Sequence, residues 1–219
     1  VDHLQIFADR TEAGRALADR LAVRGYSDPV VLALPRGGVP VGLEVARALG
    51  APLDLVLVRK IGVPYQPELA LAAVVNGDHP ELVINEDVRA VSGVSERQLE
   101  SATARELAEI ERRRALYLEG RDRVDVAGKT AIVVDDGIAT GATVRAALKA
   151  LRRARPATLV LAVPVAPAQT IEFMRGEVDE VVCLETPEPF YAIGPYYRDF
   201  SQVSDDEVVA LMSEPRGAD

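Results

Sequence analysis

Two aspartates, Asp135 and Asp136, stand side by side in the stretch AIVVDDGIATGAT, residues 131–143. Four apolar residues lead into them, so they sit at the end of what reads as a buried strand. An ionised carboxylate only accepts hydrogen bonds, which suits it to the paired hydroxyls of a sugar. The next seven residues, Gly137, Ile138, Ala139, Thr140, Gly141, Ala142 and Thr143, turn from loop into helix. The N–H groups of a first helical turn lack intrahelical partners, and the helix dipole adds positive potential there, so this segment is suited to an anion such as phosphate. Gly137 and Gly141 permit close backbone approach, and the hydroxyls of Thr140 and Thr143 add donors. A ligand with a phosphate on one side and ribose hydroxyls on the other satisfies the whole stretch.

Two more segments carry chemistry. In LPRGGVP (34–40), Gly37 and Gly38 expose backbone N–H groups and Arg36 offers a forked donor for phosphate oxygens. A plain turn explains this short segment equally well when it is read alone. In VRKIGVPYQPELA (58–70), Arg59 and Lys60 end a strand, with solvated strand-end charges as the alternative. Glu68 serves the following loop or solvates it.

These residues must be held by strands and helices. Short β-branched runs alternate with helical segments, the pattern of a parallel α/β sheet flanked by helices, Rossmann-like. We expect strands over 30–34, 53–60, 131–134, 157–165 and 178–184, with further short strands in ALAAVVN and ELVIN. IGVPYQPE (61–68) is expected as a loop. Helices are expected over 41–49, 140–153, within PAQTIEFMRG, and in SDDEVVALMSE with Ser204 as cap. Residues 95–118 read as one long amphipathic helix with a capping box of Ser95 and Gln98. Leu99, Thr103, Leu107, Ile110, Arg114 and Tyr117 recur at helical spacing. Arg112, Arg113 and Arg114 read as a solvated face among Glu106, Glu109 and Glu111. This helix packs on the rim of the domain or forms a dimer contact. One domain spanning 1–219 is expected, with a helical insertion near 76–127 and a hood plus closing helix near 184–219.

VVDDGIATGAT resembles the signature of the type I phosphoribosyltransferases: apolar strand, two acids, short loop, then Thr-Gly-x-Thr. No lysine follows Gly141, so it is not a Walker loop. The resemblance implies the type I phosphoribosyltransferase fold and a Mg²⁺-dependent transfer of ribosyl phosphate from 5-phosphoribosyl 1-diphosphate (PRPP) to a small acceptor. It implies that 137–143 bind the 5′-phosphate, and that Arg36, Gly37, Gly38 and Lys60 hold the pyrophosphate. Arg59 joins them in neutralising it. Asp135 and Asp136 serve the ribose and the developing charge, and meet the metal through water. It also implies a cis peptide at Pro35–Arg36 and a loop after Lys60 that closes over the site.

Two departures matter. Gly137 replaces the aliphatic residue common after the acids, and Ala139 replaces an acid carried by the 6-oxopurine enzymes, which weighs against hypoxanthine or guanine as acceptor. The acceptor hood is expected in PEPFYAIGPYYRDF, where Phe190, Tyr191, Tyr196, Tyr197 and Phe200 make up five of the chain's ten aromatics (Tyr 6, Phe 4). These rings either stack on a base or form a small core. Arg198 and Asp199 are further candidates for reading a base edge. A non-catalytic PRPP or nucleotide sensor on the same fold is the rival reading, and a phosphatase or kinase-like enzyme with directly metal-binding acids is a weaker one.

Composition bounds these readings. The net charge of −9 argues against broad nucleic-acid or anionic-membrane binding. No apolar run is long enough to span a bilayer, and the first residues do not read as a signal peptide. The one cysteine, Cys183, is expected as a core residue, and it excludes internal disulfides and cysteine-based metal sites. His3 and His79 are far apart in sequence. A reducing, cytoplasmic setting fits, and a homodimer is expected from the resemblance.

Overall fold

The structure is a computed structural model and describes residues 6–77 and 80–214. His3 and His79 lie outside them. Five strands form the main sheet: β1 (Pro29–Ala33), β2 (Leu53–Leu55), β6 (Thr130–Val134), β7 (Thr158–Val165) and β8 (Glu180–Glu185). All are parallel, in the order β2-β1-β6-β7-β8. Their runs are apolar almost throughout because both faces are covered. Alternate residues divide between two cores. Val31, Ala33, Ile132 and Val134 face α1 (Arg10–Ala22) and α2 (Gly38–Leu49). Val30, Leu32, Ala131 and Val133 face α5 (Ala142–Arg153) and α6 (Ala168–Met174).

The chain runs from β1 through α2 to β2 on one side, and from β6 through α5 to β7 on the other. The direction of strand order therefore reverses between β1 and β6. In open α/β sheets the crevice beyond the carboxyl ends at such a reversal is where ligands bind.

Between β2 and β6 lies a second, antiparallel sheet of β3 (Val58–Val63), β4 (Gln66–Val75) and β5 (Glu81–Ile84), followed by α3 (Glu86–Ser92) and α4 (Glu96–Leu118). Two expectations are corrected here. The run 53–60 is not one strand: it breaks after Leu55, and Val58 begins a strand of the other sheet. Residues 61–68 are not a loop but the arms of a hairpin, with Val63 paired to Gln66 across Pro64–Tyr65. The Pro and Gly that mark a loop mark a tight turn and an irregularity in register instead. A Cβ on Gly62 would lie 2.2 Å from the Pro67 carbonyl oxygen.

The long helix forms as expected. Ser95 Oγ accepts from Gln98 N–H, and the Gln98 side chain accepts from Ser95 N–H. Arg112 and Arg113 pair with Glu109 on its outer side. Arg114 is a correction. It is buried and paired with buried Asp54 at 3.2 Å, because it falls on the Leu99–Ile110–Tyr117 face. The closing helix α7 (Asp205–Ser213) carries the second capping box, from Ser204 and Glu207. Tyr117 Oη donates to Asp205 at 2.5 Å and joins α4 to it.

Candidate functional site

The site is built where β1 and β6 end. Ala33 and Val134 are partners in register, and Leu34 N–H donates to the Val134 carbonyl at 3.0 Å. The loops after the two strands therefore leave the sheet side by side. After β1 the Pro35–Arg36 peptide is cis, in the position the sequence resemblance implies. Gly37 and Gly38 then begin α2. Their place is set by contact rather than by dihedral angle, since Gly37 has an ordinary helical φ of −60°. A Cβ on Gly37 would lie 2.1 Å from Asp136 Oδ2, and one on Gly38 would lie 2.8 Å from the Val134 carbonyl oxygen.

The two acids differ. Asp135 is half-buried, and its Oδ1 accepts from the Asp136 N–H at 2.8 Å. Burial, and then the charge of Asp136, push its carboxyl well above the usual carboxylate range. Asp136 is buried, and its Oδ2 accepts from Arg10 Nε at 2.8 Å. Its carbonyl oxygen accepts from Tyr197 Oη at 2.6 Å. Burial, followed by the charge of Asp136, raises the Tyr197 phenol far above its ordinary value.

Beyond the acids, Gly137 is packed rather than loose. A Cβ there would lie 2.7 Å from Ile193 Cγ2 and 3.1 Å from the Val165 carbonyl oxygen, so the missing aliphatic side chain makes room for Ile193. Ile138 is buried, with its N–H bonded to Val165 O at 3.0 Å. Ala139 is exposed, and its carbonyl accepts from Thr170 Oγ1 at 3.0 Å. Gly141, at φ +79°, caps α5 without a side-chain hydrogen bond. The N–H groups of Ala142, Thr143 and Val144 then open the helix with no intrahelical acceptor. Thr140 and Ala142 are exposed and Thr143 is half-buried, so the segment faces outward as an anion site requires.

Arg59 and Lys60 do not end a strand but fall near the start of β3, and they separate because side chains alternate across a strand. Arg59 turns to Glu106 of α4 at 2.9 Å. Lys60 faces the other way, into a cleft of about 510 Å³ that it lines with Asn85, Ala142 and Arg145. Arg36 lies 3.7 Å from Asp205 at the start of α7. Another cavity, of about 220 Å³, surrounds Asp54 and Arg114 and touches none of these residues.

The hood aromatics resolve mostly as core. Tyr196 and Tyr197 are buried with Phe7 and Val165, which corrects the alternative that they stack on a base. Phe200 stacks on Tyr197 and Phe190 on Tyr196, at ring centroids of 5.1 Å and 5.3 Å. Tyr191 is left open at 86% exposure. The backbone of 6–8 is bonded to 196–199, which draws these rings beneath the hood. Arg198 and Asp199 donate their N–H groups to that ladder.

Arg10, Tyr197 and Gly37 contact the acid pair. The sequence places Tyr197 in the hood and gives Arg10 no role. Arg10 does leave a signal. It is the first residue of α1, where the helix dipole disfavours a cation, and such a local conflict asks for a tertiary partner. The motif Asp9-x-x-Glu12 marks that helix start, and Asp9 caps it at 2.8 Å.

Among the described residues no three His, Cys, Asp or Glu side chains form a metal cluster, and no helix is long and apolar enough to cross a membrane. Comparison with known proteins agrees with the geometry. Residues 5–201 match the family described as "Phosphoribosyl transferase domain". Two proteins of Mycobacterium tuberculosis, from strains CDC 1551 and H37Rv and each named "Putative phosphoribosyl transferase", are 47% identical over 95% of the chain. The chain spans 47% of their length, about half. The crystal structure of TT1426 from Thermus thermophilus is 42% identical, covers 94% of this chain and 97% of its own, and superposes with a TM-score of 0.82. With a strand-order reversal that carries the acid pair beside a cis-peptide glycine loop, and with the family matched over nearly its whole length, the chain belongs to the phosphoribosyl transferase domain family.

Proposed function

We propose that the chain transfers ribosyl phosphate from PRPP to a nitrogen atom of a small acceptor. The carrying observation is the crevice between β1 and β6, where two loops of different chemistry emerge side by side. One presents carboxylates and a helix N-terminus, and the other presents the turn at Gly37 and Arg36, while the Gly38 N–H, expected to be exposed, is donated to the Leu34 carbonyl at 3.0 Å. A ligand with a phosphate at each end and a ribose between them matches that order of groups.

In the reaction the bond from ribose C1 to the pyrophosphate oxygen breaks, a C1–N bond forms, and the acceptor nitrogen gives up its proton. Residues 137–143 bind the 5′-phosphate. Asp135 and Asp136 accept from the ribose hydroxyls, and their field favours the positive charge that develops on the sugar. Arg36 and the turn at Gly37 hold the pyrophosphate, with Gly38 permitting close approach rather than donating its N–H, and Lys60 adds charge from the neighbouring cleft. Arg59 joins only by leaving Glu106. Ala139, which offers no carboxylate, favours an acceptor other than a 6-oxopurine, and the exposed Tyr191 is the hood ring open to one.

Mg²⁺ suits this donor set. It keeps most of its waters and needs one or two carboxylates plus phosphate oxygens rather than a protein cage. Asp135 and Asp136 would hold it through water, and when bound it would neutralise charge on the leaving pyrophosphate. A non-catalytic PRPP-binding regulator is the second reading, favoured by the burial of Asp136 behind Arg10.

Calorimetric titration with PRPP, with and without Mg²⁺, tests the donor on wild type, Asp135→Asn and Asp135→Ala/Asp136→Ala. Saturable, Mg²⁺-enhanced binding that the double variant loses is expected. Absence of PRPP binding by the wild type refutes the reading. Pyrophosphate release across a panel of nitrogen acceptors then separates enzyme from regulator.

A further inference from the structure

We propose that Arg10 is a positioning residue for the ribose of the bound donor, fixing the Asp136 carboxylate and tying it to the 196–201 segment. This rests on the ribose-phosphate reading above and adds a residue outside the motif that suggested it. Four observations carry it.

First, Arg10 and Asp136 are 126 residues apart in sequence, and their side chains are each only 11% exposed. Second, Arg10 is held from several sides. Its Nη1 donates to Ser201 O at 2.7 Å, and its guanidinium lies 4.0 Å from the centre of the Phe200 ring. Third, the chain around it is fixed to the same segment. Phe7 N–H donates to Tyr196 O at 3.0 Å, and Arg198 and Asp199 donate to Phe7 O and Ala8 O at 2.9 Å. Fourth, nearby acids are committed elsewhere. Asp9 caps α1, Glu12 accepts from Ala8 N–H, and Asp199 accepts from Ser201. Among the described residues, Asp136 is the carboxylate within ion-pair distance of Arg10.

The geometry therefore divides the carboxylate's work. Oδ2 is taken by Arg10, which leaves Oδ1 as the oxygen not paired with that cation. The planar fork of arginine holds one partner while its other arm anchors the backbone, which a lysine ammonium reproduces only in part. The ribose then meets a carboxylate of fixed orientation, whose charge is partly balanced from behind.

Titration of wild type, Arg10→Gln and Arg10→Lys with three probes in the presence of Mg²⁺ tests this: PRPP, ribose 5-phosphate and inorganic pyrophosphate. Thermal unfolding is followed in parallel. The expected result for Arg10→Gln is a loss of about tenfold or more for the two ribose-containing probes, with pyrophosphate changed by less than about twofold. Arg10→Lys should recover part of that loss, and it carries the test if Arg10→Gln does not fold. Equal weakening of all three probes, or unchanged affinity for both ribose-containing probes, overturns the assignment while leaving PRPP as donor. A wild type that binds neither ribose-containing probe overturns the donor reading and this assignment with it.

Discussion

Replacing Gly37 by alanine tests how the site is packed. The backbone tolerates the change, since Gly37 is already helical. The new methyl is the problem: it would stand 2.1 Å from Asp136 Oδ2, against the 3.4 Å at which ordinary contact begins. The carboxylate must retreat by about 1.3 Å, the difference between those two distances. It cannot do so and keep its 2.8 Å bond to Arg10, because both groups are confined. Breaking a buried pair costs about 3–5 kcal/mol. At roughly 2–4 °C per kcal/mol for a chain of this size, the unfolding midpoint should fall by on the order of 10 °C. Thermal unfolding by circular dichroism reads this directly. Coupling gives a sharper check: in an Asp136→Ala background the carboxylate is gone, so adding Gly37→Ala should cost less than about 1 kcal/mol. A Gly37→Ala protein that melts within about 2 °C of wild type, or costs that add fully in the double variant, would refute the packing argument.

Asp54→Ala should cost about 3–5 kcal/mol in chemical denaturation, because it strands buried Arg114 and leaves the Leu55 and Val124 N–H groups without their acceptor. A loss below about 1 kcal/mol would show that Arg114 escapes to solvent. Ser204→Ala should cost about 1 kcal/mol by removing the cap of α7, and an unchanged midpoint would count against that cap. Cys183, expected as a core residue, is half-buried on β8 and packs against the core, and its partial burial pushes the thiol up to about 11. Alkylation near pH 8 should therefore run roughly a hundredfold slower in the folded protein than in denaturant, and equal rates would contradict the burial. The raised Asp135 carboxyl gives a sign for pH dependence. The folded state binds that proton more tightly than the unfolded chain, so stability falls as pH rises from about 4 through the raised value. Asp135→Asn should remove this part of the decline, and parallel stability curves for the two proteins would rule it out.

Much of the site was legible locally. The run AIVVDDGIATGAT contains its own strand, acids, loop and helix start, and each follows from neighbours a few residues apart. The capping boxes of Ser95 and Ser204 were legible for the same reason. The hairpin at 61–68 was not, because Gly and Pro mark a tight turn and an open loop alike, and pairing between β3 and β4 decides between them. Arg114 looked solvated beside Arg112 and Arg113, yet helical phase turns it inward to Asp54.

The sequence by itself determined the class of fold, the strand and helix pattern of most of the main sheet, and the acid–loop–helix unit, but not α1, α3 or the hairpin at 61–68. These depend on periodicity, capping and turn chemistry, all short-range properties. Only the tertiary structure decided that β1 and β6 lie side by side, which places Gly37 against Asp136. It also decided that the segments around Phe7 and Tyr197 meet, which brings Arg10 and the Tyr197 hydroxyl to the same aspartate. It buried Tyr196 and Tyr197 and left Tyr191 open. Those outcomes are set by which distant surfaces exclude water together, and no local pattern of residues encodes that choice.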